Sequence, residues 1–301
     1  MILSAVKMAL NTYCKGFPKF LILVLALMVP NLFLIAAVSI PVVFLLFGGA
    51  DNFTQAAAFF SDASNYLKTG TADLPFMPSE NYYTLLAVLF LFVLAVQVVV
   101  LLLKNIGTTI ISDDLNNNRE RAVLDTLRLS GSKLLRVFLL SVIYFLIFAV
   151  LGVAMLISYD IATSVFPGLI FVLFFILVPV VFYLLVKLSL AFPICVMEGL
   201  PVFDCITQSF KRASDFWWLL LCFVLTGIGI AALNYIISSI TPSAADASLA
   251  VYIPLAVISS IAKSVVDLFL YVLLYFLYQT YRPNPSAEEH PAESKTEHSL
   301  L

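Results

Sequence analysis

The sequence predicts an all-α, polytopic transmembrane helical bundle, and three observations carry that prediction. Of its 301 residues, 62% are hydrophobic and only 11% are charged, with a mean hydropathy of +1.06, whereas a soluble chain of this length needs far more polar surface. The apolar residues fall in blocks long enough to cross about 30 Å of hydrocarbon at 1.5 Å per residue. The lysines and arginines crowd into alternate loops, as the positive-inside rule requires.

The chain begins with a stretch at 2–17 that puts Ile2, Leu3, Val6, Leu10, Tyr13 and Phe17 on one helical face, with Lys7 and Lys15 elsewhere. This reads as an interfacial helix rather than a cleaved signal, because its apolar residues are spaced and no small-x-small site follows a short core. The first span, 20–47, is longer than needed and contains Pro30, Asn31 and Pro41, which predicts tilt or a kink. A polar loop at 48–82 follows, and the second span runs over 83–103 with Gln97 inside it. Residues 104–136 are the most charged part of the membrane body. There Asn118 is placed to cap a helix with Val123, Leu124, Leu127 and Leu134 on its apolar face, and Arg121, Asp125 and Arg128 stand at salt-bridging helical spacings. The third span is 137–157 and the fourth 166–186, with Pro179 inside and Lys187 able to snorkel at its end.

Residues 198–218 form the most distinctive elbow. Val202, Phe203, Ile206, Phe210 and Ala213 share one side, with Asp204, Gln208, Lys211 and Asp215 away from it. Pro201 suits a first helical turn, and Trp217 and Trp218, the only tryptophans, stand where a membrane–water boundary favours them. The fifth span is 216–236 and the sixth 262–281. Residues 1–282 thus make one six-span domain, followed by a Pro-, Glu- and Ser-rich tail at 283–301 expected to be disordered.

The N-terminus, the 104–136 and 187–215 loops and the chain from Arg282 onward hold 14 of the 16 lysines and arginines, whereas the intervening loops hold Lys68. This places both termini in the cytoplasm of a cell (inner) membrane. Basic elbows there would meet anionic headgroups of the lipid bilayer. No basic domain points to nucleic acid. Cys14, Cys195, Cys205 and Cys222 sit at cytoplasmic or membrane levels, so reduced thiols are expected. The segments 2–17, 119–134 and 198–215 each join an amphipathic stretch to a long apolar run. This layout suggests three parallel elbow-plus-hairpin units, a pattern that ordinary membrane-protein grammar can also imitate.

Little in the chain points to catalysis. Both histidines, His290 and His298, lie in the tail, and no phosphate loop, nucleophile elbow or HExxH motif occurs. No cofactor or metal framework is recognisable, and Asp113-Asp114, the one adjacent acid pair in the body, reads as a solvated loop pair. Asn52-Phe53-Thr54 matches a glycosylation sequon, discounted because it matters only in a eukaryotic secretory membrane. The proline–x–acidic–x–x–basic signature of mitochondrial carriers is absent.

The polar residues at membrane depth are the remaining candidates: Asn31, Gln97, Asn234 and the i,i+4 pair Lys263/Asp267. Asn31 is expected to satisfy kinked backbone, and Gln97 and Asn234 to hydrogen-bond between helices. Counting back from Tyr281 puts Lys263 at the outer interface, whereas a helix starting near Tyr252 puts the pair near mid-bilayer.

Two resemblances follow. Val196-Met197-Glu198-Gly199, then Gln208-Ser209-Phe210-Lys211-Arg212 and Phe216-Trp217-Trp218, resemble bacterial six-span proteins related to the membrane domain of some glycerophosphodiester phosphodiesterases. That implies a membrane-domain protein acting in envelope organisation or lipid-related homeostasis, and no transfer of catalytic activity. The charged stretch from Arg119 through Arg121, Asp125 and Arg128 to Lys133, between spans two and three, is similar to the coupling segment of ABC-exporter permease subunits. That second resemblance implies a separate cytoplasmic ATPase partner.

Overall fold

The computed structural model describes residues 2–47, 80–165, 169–240 and 249–282. The predicted tail, the sequon, both histidines and most of the 48–82 loop lie outside the described residues. Every element among the described residues is a helix: α1 (Ile2–Phe47), α2 (Glu80–Asn116), α3 (Val123–Val165), α4 (Leu169–Leu188), α5 (Ala191–Met197), α6 (Val202–Arg212), α7 (Phe216–Ile240) and α8 (Leu249–Tyr281). Six of these stretches are long and apolar enough to cross a membrane: Ile2–Val38, Ala87–Asn116, Val123–Ile157, Phe175–Met197, Phe216–Ile240 and Pro254–Tyr281. The protein is an all-α, multi-pass membrane protein.

Two elbows predicted as separate helices are continuous with their spans. Helix α1 has 46 residues and α3 has 43, so each extends roughly 65–70 Å, more than twice the hydrocarbon thickness. In α1 the Gly16-Phe17-Pro18 sequence does not break the helix. Gly16 serves packing, because a Cβ there would lie 2.4 Å from Leu115 Cδ1. In α3 the Ser130-Gly131-Ser132 sequence also stays helical. Ser130 Oγ donates to the Thr126 carbonyl (2.8 Å) and Ser132 Oγ to that of Leu129 (2.7 Å), so both hydroxyls are absorbed by their own helix.

Asn118 does not cap α3. It sits at φ 50° after α2, with Arg119 N–H donating to Asp114 O (2.7 Å) and Asn118 N–H to Leu115 O (3.4 Å). This is a Schellman closure with asparagine in the left-handed position, and it ends α2. Because α3 then starts at Val123, Arg121 precedes the helix and cannot use i,i+4 spacing to Asp125. It pairs with Asp114 instead, at 3.5 Å.

The chain forms two compact units, Met1–Leu23 with Asn105–Leu301, and Val24–Lys104. In the first, the core is organised on the C-terminal half of α8, where Leu268, Val272, Leu273, Tyr275, Phe276, Leu277 and Tyr278 are all buried. Phe20, Leu23, Ile106, Leu140, Ile194 and Leu219 are buried in the same unit. Tyr13 adds a tie from α1 to α8: its hydroxyl donates to the Val265 carbonyl (2.8 Å) and its ring meets Phe269 edge-on at 5.5 Å. By contrast, Phe145 and Phe175 are more than 70% exposed, as lipid-facing side chains should be. In the second unit, α1 and α2 flank an apolar cleft lined by Ala26, Pro30, Asn31, Phe92, Val96 and Val99 among others.

Candidate functional site

The candidate site is the polar end of the first unit, where the 198–215 elbow meets α3, α4 and α8. It is built on the turn after α5. Gly199 has φ +67°, a left-handed conformation that disfavours any side chain. A Cβ there would also lie 2.9 Å from Arg136 Nη1. Arg136 Nη1 donates to the Gly199 carbonyl (2.7 Å), and Lys133 Nζ, one helical turn earlier, donates to the Val196 carbonyl. Two α3 cations thus hold one carbonyl of the last turn of α5 and one of the turn that follows it.

Glu198 precedes that glycine and is the most connected acid of the elbow. Arg212, the last residue of α6, meets it with both terminal guanidinium nitrogens, the Nη2–Oε2 contact being 3.1 Å. The Tyr278 hydroxyl donates to Oε1 at 3.0 Å. The bidentate pair closes α6 back onto its own starting turn, with the two side chains only 12% and 19% exposed.

Helix α6 packs through a stripe of small residues. Cys205, Ser209 and Ala213 are fully buried, while Phe203 is 74% exposed, so the predicted apolar face is split between protein and surroundings. The Ser209 hydroxyl donates to the Lys187 carbonyl (2.6 Å), and Lys187 Nζ donates back to the carbonyls of Ala213 (2.7 Å) and Phe210 (3.3 Å). Lys187, at the end of the fourth span, thus caps the C-terminus of α6. All four cysteines are free. A hydrogen bond with Cys195, together with burial, holds the Cys205 thiol above the ordinary range.

The feature that sequence reasoning missed is a tyrosine stripe on α8. Tyr275, Tyr278 and Tyr281 each donate to an acid from a different segment: Asp113 Oδ1 near the end of α2 at 2.8 Å, Glu198 Oε1 at 3.0 Å and Asp215 Oδ2 at 2.9 Å. Gln279 Nε2 donates in turn to the Tyr275 hydroxyl at 2.9 Å. Asp113 receives Asn117 Nδ2 as well (2.9 Å) and lies 3.9 Å from Arg119. The predicted solvated pair Asp113-Asp114 is therefore structural, with Asp114 almost wholly buried. The signal was present in the sequence: Tyr271, Tyr275, Tyr278 and Tyr281 recur at helical spacing.

The other candidates scatter. Lys211, Asp125 and Arg128 are exposed. Asp267 accepts from Asn234 Nδ2 at 2.9 Å across α7 and α8, and makes no ion pair with Lys263 among the described residues. Asn234 is thus the interhelical partner expected of it, and the anticipated Lys263/Asp267 pair is replaced, since i,i+4 spacing permits contact without compelling it. Gln97 was expected between helices but is exposed on α2. Asn31 is buried and its Oδ1 has no hydrogen-bond partner among the described residues.

Comparison of the chain with protein-family models, with curated proteins and with solved structures finds no match.

Proposed function

We propose that this chain is a non-catalytic integral membrane protein that organises its membrane, in an envelope or lipid-related role, around a fixed polar platform. The observation that carries this reading is the commitment of Asp113 near the end of α2, Glu198 after α5 and Asp215 before α7 to tyrosines of one helix. These carboxylates act as anchors for the elbows. The exposed Lys7, Lys15, Arg128 and Lys211, with exposed Trp217 and Trp218, offer that end to anionic headgroups. The lysine and arginine distribution supports a cell-membrane protein with both termini cytoplasmic. The Glu198-Gly199 turn and Ser209 support kinship with the six-span proteins related to phosphodiesterase membrane domains, whose shared residues are here the ones that build the elbow.

The test is deletion in the host followed by complementation, read as dye permeability and lipid composition of the envelope. Deletion should alter both, the unaltered chain should restore them, and an Arg212→Met chain should not. Turnover of a glycerophosphodiester by the purified protein would overturn the non-catalytic reading.

A second reading, a permease subunit served by a separate ATPase, is favoured by one observation. Leu124, at the start of α3, is 77% exposed among exposed Glu120, Asp125 and Arg128, an uncovered apolar spot ringed by charge. An ATPase that co-purifies in fixed proportion, and is lost on Leu124→Asp, would establish it over the first reading.

A further inference from the structure

The α1–α2 cleft of the second unit has a volume of about 510 Å³, within the range of small-molecule sites. Its lining is aliphatic and aromatic except for Asn31. Asn31 is only 8% exposed although Leu32, Phe33 and Leu34 beside it are 43% exposed or more. Its Oδ1 is buried with no partner among the described residues. Pro30, on the same wall, has no N–H to return to the Ala26 carbonyl, and Ala26 lines the cleft too. Asn31 Oδ1 is therefore a buried acceptor without a donor among the described residues, on a residue that lines an apolar groove. Phe92 lies twelve residues before Lys104 on α2, so the cleft is about 18 Å from that cation, near the middle of the hydrocarbon.

This combination selects an occupant. Water needs two to four polar partners, which so apolar a groove supplies poorly. An acyl chain fills the volume but brings no donor, and a charged group is excluded by depth. We propose that the cleft binds a neutral lipid alcohol, its chain along Phe92, Val96 and Val99 and its hydroxyl donating to Asn31 Oδ1. The proposal rests on the chain being a membrane protein and is independent of the elbow platform.

The experiment uses the full-length protein in lipid nanodiscs and a diazirine-bearing hexadecanol, with the matching methyl ether, which has the same chain and no donor. The alcohol should label peptides from 24–104, and free hexadecanol should compete about tenfold better than its methyl ether, as the loss of one buried hydrogen bond predicts. Asn31→Leu should erase that preference while leaving the weaker, ether-like labelling. Ala95→Phe, which fills the cleft, should suppress labelling by both probes. Equal competition by alcohol and ether on the unaltered protein overturns the proposal with no variant needed. So does an undiminished preference in Asn31→Leu, or a second copy of the chain cross-linked through the cleft. Loss of this binding leaves the complementation assay untouched, so the two readings fail separately.

Discussion

The elbow at 119–134 and the elbow at 198–215 share an amphipathic stretch, nearby cations and a following apolar run, yet only the second breaks. In α3, serine hydroxyls turn inward to their own helix, Gly131 has open space around it, and Lys133 and Arg136 are spent on another segment. At 198–215 the same residue types point outward. Ser209 donates to a carbonyl 22 positions away, Gly199 is left-handed, and Lys187 takes the terminal carbonyls of α6. Whether such a segment continues or breaks is decided by partners elsewhere in the fold that can receive its polar groups.

That contrast can be broken by substitution. The largest effect is expected from Arg212→Met, which strands Glu198 in a mostly buried site. Stability should fall by about 3 kcal/mol, and limited proteolysis should open the 213–215 segment while sparing 129–132. Pairing it with Glu198→Gln should recover part of the loss; full additivity would mean the two groups do not interact. Tyr278→Phe removes a buried hydrogen bond to a carboxylate and should cost about 2 kcal/mol in a denaturant titration in detergent. The two glycines give the sharpest contrast, because the same substitution should act with opposite sign. Gly199→Ala should destabilise by about 1–2 kcal/mol through its left-handed backbone, whereas Gly131→Ala, in a helix interior with room for a methyl, should stabilise by about 0.5–1 kcal/mol. A loss at both positions would show that the α3 elbow is also poised to break. Tyr281→Phe should have the smallest effect, below about 1 kcal/mol, since its bond to Asp215 is exposed.

The spans were legible because a bilayer imposes its demand on composition, which a single sequence displays in full. The key elbow residues were legible too: Glu198, Gly199, Ser209 and Arg212 all stand in the stretch that carries the family resemblance. Their counterparts were not. Lys133, Arg136 and Lys187 obey the positive-inside rule wherever they point, and that rule conceals their second task of holding carbonyls. The α8 tyrosines lie inside an apolar run, where the hydrophobic ring reads as lipid-facing and the hydroxyl is easily overlooked. Nor does spacing reveal choice: Asp267 had Lys263 one turn away and bonds Asn234; Arg121 had Asp125 and pairs with Asp114.

The tyrosine stripe also sets an order of assembly. Asp113, Glu198 and Asp215 leave the ribosome well before the residues that donate to them, because all three hydroxyls belong to the last turns of α8. Through most of synthesis the polar end holds three carboxylates without these partners, and the spans before α8 sit in the membrane unlatched. Emergence of Tyr281 completes the set. A nascent chain halted short of Tyr275 lacks all three donors.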